Sequence, residues 1–113
     1  MPDAAVPWEI DFRAVKQKLD AVEPFFFLDC REKSEYDTAK IEGTTLLPMS
    51  ELTGRTADLE PHRNELIVVH CHHGGRSLRV VHWLRQQGFL QAQNMTGGID
   101  AWAVEVDPTL PRY

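Results

Sequence analysis

Apolar and polar positions along the chain fall into two kinds of block: short continuous apolar runs, and longer stretches with helical spacing. The clearest run is Leu66-Ile67-Val68-Val69, uninterrupted and mostly β-branched. Such a run suits a strand buried on both faces, as in the middle of a parallel sheet. After Cys71-His72-His73-Gly74-Gly75, the spacing of Leu78, Val80, Val81, Trp83 and Leu84 predicts an amphipathic helix entered at Arg76-Ser77 and ending at Gly88. Cys71 is therefore expected at the carboxyl end of a buried strand, just before a helix N-terminus. In open α/β sheets that crevice is where ligands bind.

The same reading applies to the rest of the chain. Trp8-Glu9-Ile10 predicts a short edge strand, and Asp11 can cap a helix running to about Ala21 with Phe12, Val15 and Leu19 on its buried face. Pro24 stops that pattern, and Phe25 to Leu28 predicts a second buried strand ending at Asp29. Ser34 is expected to cap a short helix through Tyr36, Thr45 to Leu47 to form a third strand ended by Pro48, and Ser50 to cap another short helix near Gly54. Pro61 to Asn64 reads as a polar turn. Gln91 to Met95 is a weak fifth strand, Gly97-Gly98 a tight turn, Ile99 to about Val104 a last helix, and Asp107 to Tyr113 an extended tail. Strands alternating with helices imply an α/β fold: a parallel sheet with helices on both faces.

Composition narrows the classes. With 113 residues and 42% hydrophobic content, the chain predicts one domain with one core, about residues 8–104, followed by the tail at 105–113. A net charge of −5 gives no basic footprint for nucleic acid. No apolar run approaches the roughly 18 residues of a membrane span. Met1 to Ile10 lacks a basic region followed by an apolar stretch, so no signal peptide is expected, and the chain is read as cytoplasmic. Two cysteines do not make a disulfide scaffold.

The chemistry converges on Cys71. Gly74 and Gly75 let the following loop turn its N–H groups inward, as an anion-binding nest requires. The helix start adds partial positive charge and Arg76 a full one. A free thiol has a pKa of roughly 8.5, and such settings lower it to about 3.5–7.5. A fall of about 2 units lifts the thiolate fraction at pH 7 from about 3% to about 75%, for about 2.7 kcal/mol of differential stabilisation. The expected result is a nucleophilic sulfur in an anion-binding cradle.

Four segments resemble the rhodanese sulfurtransferases. Cys71-x-x-Gly74-x-Arg76-Ser77 resembles their active-site loop. Phe27-Leu28-Asp29-Cys30-Arg31-Glu32 with Glu35-Tyr36 resembles their Asp-Val-Arg-Glu…Glu-Tyr segment. Ile41-Glu42-Gly43 with Leu47-Pro48, and Gly97-Gly98-Ile99-Asp100-Ala101-Trp102, resemble two further stretches. The resemblance implies a rhodanese-like three-layer α/β/α fold with a five-stranded parallel sheet in order 3-2-4-5-1. It also implies that Cys71 takes a sulfane sulfur from a donor such as thiosulfate, carries it as a persulfide and passes it to a thiophilic acceptor, without a cofactor. The tail, Val106-Asp107-Pro108 and Pro111-Arg112-Tyr113, is similar to the end of rhodanese domains fused to adenylating enzymes, which suggests a sulfur-carrier protein as acceptor. Ala39-Lys40, where the family usually has Gly-His, and Thr44-Thr45 depart from the pattern, as does Cys30, which replaces a usual Val.

Around Cys71, the loop residues His72, His73, Gly74, Gly75, Arg76 and Ser77 are expected to bind the anion. An Arg at a helix start opposes the dipole, so Arg76 should have a carboxylate partner or face an anion. Asp29, Arg31 and Glu35 form the supporting set. Arg31 either meets an anionic donor or pairs with Glu35, and Asp29–Arg76 is the alternative structural pair. His70-Cys71-His72-His73 is not expected to hold a metal, because consecutive loop residues cannot all aim at one ion without distortion. His62 and His82 are read as ordinary surface or helix-face residues, and Gly97 and Gly98 as turn residues, with Trp102 in the core. Strand alternation is expected to turn Cys30 away from Cys71, leaving it buried, reduced and dispensable; the alternative is a resolving thiol that attacks the persulfide. Two other functions compete: a phosphatase or arsenate reductase, disfavoured because only four residues separate Cys71 from Arg76, and a non-enzymatic binding module.

Overall fold

The computed structural model describes residues 6–113. Five strands form one sheet, in which every neighbouring pair is parallel. They are β1 (Glu9–Ile10), β2 (Phe26–Asp29), β3 (Thr45–Leu46), β4 (Ile67–His70) and β5 (Ala92–Met95), in spatial order β1-β5-β4-β2-β3. This is the 3-2-4-5-1 order that the family resemblance implied. The helices are α1 (Phe12–Asp20), α2 (Lys33–Thr38), α3 (Gly75–Gln86) and α4 (Gly98–Glu105). No helix is long and apolar enough to cross a membrane among the described residues.

The side chains of β4 leave the sheet alternately into two apolar layers. Ile67 and Val69 join Leu28 of β2 and Val80, Val81 and Leu84 of α3 on one face. Val68 joins Phe27, Phe12 and Val15 of α1, and Ile99 and Trp102 of α4, on the other. The central strand thus needs apolar residues at every position between the two layers, which is why its run was the clearest in the sequence. Strand β5 was weak in the sequence because Gln93 and Asn94 are polar, yet both are buried. Their amides are satisfied: Gln93 donates to the Pro7 carbonyl at 2.9 Å, and Asn94 to Glu9 Oε2 at 3.1 Å and the Gly74 carbonyl at 3.3 Å.

Several local expectations are corrected. Asp11 caps α1 as expected, accepting from the Arg13 N–H at 2.7 Å. Ser34 does not cap α2; Glu32 occupies that position, and its N–H donates to Glu35 Oε1 at 3.1 Å. Ser50 caps nothing either, since its hydroxyl lies 2.9 and 3.0 Å from the two Glu32 carboxylate oxygens. Residues Met49–Gly54 and Thr56–His62 are 3₁₀ helices, the second where only a turn at Pro61 was expected. Leu52 and Leu59, one from each, anchor these segments in the α3-side layer. The tail is not extended away from the domain: it turns at Asp107–Leu110 and returns to the carboxyl ends of the strands.

Candidate active site

Strand β4 ends at His70, and Cys71 follows it at the carboxyl edge of the sheet. The next residues wrap around the Cys71 sulfur. The Gly74 N–H donates to Sγ at 3.1 Å and the Ser77 N–H at 3.3 Å, with the Ser77 hydroxyl also at 3.3 Å. Gly74 adopts φ +121°, a conformation open to a residue without Cβ, and α3 starts directly after it. The donors therefore come from a nest running into a helix N-terminus, as the sequence suggested. They favour the thiolate: the Cys71 pKa is lowered to about 4, by the Cys30 thiol first and then, against desolvation, by Ser77 and Gly74.

The Cys30 contribution overturns the expected facing. Asp29 pairs with His70 across β2 and β4, and the Cys30 N–H donates to the His70 carbonyl at 3.1 Å. Cys30 and Cys71 are consequently the next rung of the same ladder, and both side chains enter the α3-side layer. Alternation does turn Cys30 away from Asp29, but the residue level with Asp29 is His70, not Cys71. The Cys30 thiol lies 3.4 Å from the His70 carbonyl and beside the Cys71 sulfur. Its own pKa is pushed up, first by the bond to Cys71 and then by burial.

Arg76 has the carboxylate partner that its position demanded. Its Nη1 and Nη2 reach the two oxygens of Glu35 at 2.6 and 2.8 Å. Glu35 is thereby lowered to about 2, with the Arg76 hydrogen bond as the main cause. This pair ties α2 to the start of α3 and directs the guanidinium to Glu35, so loop N–H groups and Cys30 outweigh Arg76 in forming the thiolate.

The two alternative pairs, Arg31–Glu35 and Asp29–Arg76, are replaced by Asp29–Arg31. Arg31 Nε and Nη2 donate to Asp29 at 2.9 and 2.7 Å, with both side chains fully buried. The remaining Arg31 donors reach the carbonyls of Ala39 and Glu35 and the Tyr113 hydroxyl at 2.7, 3.3 and 2.8 Å. Arg31 is thus saturated inside the protein and does not face a donor. His70 is also fully buried and held neutral by desolvation; its Nδ1 lies 3.2 Å from the Cys71 carbonyl, and Nε2 has no hydrogen-bond partner.

A cavity of about 420 Å³ is lined by Cys71, itself only 1% exposed, with His72, His73, Gly75, Arg76 and Arg79. A larger groove, about 590 Å³, lies between α1, α4 and the tail, but no cysteine or histidine lines it. At the rim, the His72 ring stacks on Tyr113 at 4.1 Å and on His73 at 4.0 Å. Partial burial and then His73 lower the His72 pKa, which favours the neutral ring. Ligand atoms of His72, His73 and Asp100 lie within 4.8 Å of one another, but Arg112 already holds the Asp100 carboxylate at 3.0 and 3.2 Å.

Four contributors escaped sequence reasoning. Asn94 Oδ1 shares the single Ser77 hydroxyl proton with the Cys71 sulfur, fixing that hydroxyl beside it. Tyr113 reaches Glu35 Oε2 at 3.0 Å from the far end of the chain. Arg79 lies one helical turn beyond Gly75, a spacing that periodicity could have exposed. Gly98 was read as a turn residue, but the N–H groups of Ile99 and Asp100 bind the carbonyls of Cys71 and His72 at 2.9 and 3.0 Å. A Cβ at Gly98 would sit 2.5 and 2.4 Å from those carbonyl oxygens.

A cysteine sulfur at the end of a central parallel strand, under a nest of N–H groups that enters a helix, defines an α/β domain with an anion-binding loop at the carboxyl edge of its sheet. Within that class the rhodanese-like domain model matches residues 11–105, and the chain belongs to that family. It is 34% identical to the adenylyltransferase and sulfurtransferase MOCS3-2 of Zea mays over its whole length, which is 24% of that protein. It is 33% identical to a sulfurtransferase of Allochromatium vinosum, covering 84% of this chain and 87% of the other. The crystal structure of a rhodanese-related protein from Thermoplasma volcanium superimposes with a TM-score of 0.79 at 30% identity, covering 95% of this chain and all of that one. The chain spans about a quarter to a half of the first curated relatives it matches.

Proposed function

We propose that this chain is a rhodanese-type sulfurtransferase that moves a sulfane sulfur through a Cys71 persulfide. The observation that carries this reading is the Cys71 sulfur itself, which accepts from the N–H groups of Gly74 and Ser77, in a residue lining a cavity edged by Arg76 and Arg79. The thiolate attacks the outer sulfur of a donor such as thiosulfate. The S–S bond of the donor breaks, sulfite leaves with the electron pair, and Cys71–S–S⁻ remains. A thiophilic acceptor then attacks the outer sulfur, and the Cys71 thiolate returns. The nucleophile is activated by a lowered pKa, with no triad base.

The names of two relatives support a protein acceptor. One is the sulfurtransferase fused to an adenylyltransferase, and the other is the putative sulfur carrier protein YrkF of Bacillus subtilis, 36% identical over 83% of this chain. We infer a sulfur-carrier protein as one acceptor, met at the His72–His73 rim. Two unlinked cysteines fit a reducing, cytoplasmic setting.

Mass spectrometry after exposure to thiosulfate tests the reaction. Wild type gains one sulfur atom on Cys71, and Cys71→Ser gains none and transfers no sulfur to cyanide. Turnover by the Ser variant near the wild-type rate overturns the mechanism.

A further inference from the structure

The family chemistry needs one cysteine, and this chain places two opposite each other on one rung of the sheet. We propose that Cys30 is a resolving thiol for oxidised Cys71: when a peroxide oxidises Cys71, the two residues condense into a reversible intramolecular disulfide. The inference concerns oxidation and stands independently of sulfur transfer.

Three observations carry it. The first is register. Cys30 and Cys71 follow the paired residues Asp29 and His70, on adjacent parallel strands, with both side chains in the same layer. Adjacent strands lie about 4.8 Å apart, inside the range of about 4.4–6.8 Å between Cα atoms that disulfides accept. The second is access. Both cysteines are buried, but Cys71 lines the cavity and Cys30 does not. A small oxidant entering from solvent meets Cys71, and Cys30 stands behind it on the sheet side. The third is the division of labour between the thiols. Cys71 is the ionised, reactive partner, and Cys30 keeps its proton on the His70 carbonyl or the Cys71 sulfur. The outer thiol is therefore oxidised and the inner one responds.

The chemistry balances with a peroxide as oxidant. The Cys71 thiolate attacks the O–O bond of hydrogen peroxide, giving Cys71 sulfenic acid and hydroxide. The sulfur is then no longer anionic, which removes the charge that held the proton on Cys30. Cys30 attacks that sulfur, the S–O bond breaks, and the oxygen leaves as water with the Cys30 proton. An external dithiol returns both thiols and leaves as its own disulfide. Without Cys30, further peroxide carries Cys71 to the sulfinic and sulfonic acids, which dithiols do not reverse.

The test treats the reduced full chain with hydrogen peroxide until the Cys71 thiol is consumed, then blocks remaining thiols and reads intact and peptide masses. Wild type is expected to lose two hydrogen atoms, yield a peptide linked through Cys30 and Cys71, and recover both thiols with dithiothreitol. Cys30→Ser keeps a hydrogen-bond donor but cannot form the link, and Cys30→Val serves if the serine variant does not fold. Both should accumulate two or three oxygen atoms on Cys71 that dithiothreitol leaves in place. The same oxygen adducts in wild type, with no linked peptide, overturn the proposal, as does a disulfide between Cys71 residues of two chains.

Discussion

Glu35 and Arg76 meet through both carboxylate oxygens and both terminal guanidinium nitrogens, joining α2 to the first turn of α3 across 41 residues of chain. Side-chain exposure is 19% for Glu35 and 35% for Arg76, so solvent screens the pair only in part. Cutting it should loosen the loop without neutralising the sulfur. Arg76→Ala is expected to cost about 1–2 kcal/mol of stability and to lower kcat/KM with thiosulfate by roughly tenfold, the equivalent of one lost charged hydrogen bond. Its alkylation midpoint should stay near wild type. Urea denaturation and iodoacetamide kinetics measure the two effects, and a large upward shift of the midpoint would make Arg76 the principal source of thiolate.

A thiol with a pKa of about 4 is ionised across the neutral range. Iodoacetamide should therefore react with Cys71 at a constant rate from about pH 6 to pH 8 and progressively more slowly as pH falls through 4. Cys30→Val removes the leading stabiliser of the thiolate, and Ser77→Ala the hydroxyl. Each should move the midpoint upward, with Cys30→Val moving it further. Coincident profiles for the three proteins would remove both side chains from thiolate formation.

Stability should carry the signature of Glu35. Its pKa falls from 4.5 to about 2 on folding, so the unfolded chain binds this proton more tightly. The contribution is complete above about 4.5 and is lost as pH drops toward 2. Glu35→Gln should lower stability at pH 6 and lessen its acid dependence below 4.5, measured by denaturant midpoints at several pH values. An unchanged acid slope in the variant contradicts the assignment.

The glycines near the site should respond unequally to an added methyl. Gly98 has φ +60° and two carbonyl oxygens within 2.5 Å of its missing Cβ. Gly75 has nothing within 4 Å. Gly98→Ala is expected to cost more than about 2 kcal/mol and to impair sulfur transfer, while Gly75→Ala leaves stability within about 0.5 kcal/mol. Equal melting temperatures for the two variants would show that α4 is free to retreat from the loop.

No Cys71-dependent hydrolysis of an aryl phosphate is expected. The loop between Cys71 and Arg76 is short, and both terminal nitrogens of Arg76 are engaged by Glu35. Release of the phenol by wild type but not by Cys71→Ser would revive the phosphatase reading.

The legible parts of this chain were those whose signal is local. The apolar run at 67–69, the Asp11 cap and the glycines at the start of α3 announce themselves within a few residues. What the sequence withheld is set by register and by distant pairing. Which way Cys30 faces relative to Cys71 depends on Asp29 lying opposite His70, an offset that no single strand encodes. The sequence offered Glu35 to Arg31 and Asp29 to Arg76, and the folded geometry exchanges them, giving Asp29 to Arg31 and Glu35 to Arg76. Asn94 and Tyr113 reach the site from β5 and from the last residue, with no motif to mark them.

The donors around the Cys71 sulfur have a kinetic consequence. Under the proposed chemistry the empty thiolate and the persulfide anion each carry one negative charge, so loading the enzyme conserves the charge that the Gly74 and Ser77 N–H groups neutralise. The added atom moves that charge outward by about 2 Å, one S–S bond length, along the same cradle. Neither half-reaction then has to reorganise the loop electrostatically, and the two half-reactions should differ mainly in how the donor and the acceptor, in turn, meet the histidine rim.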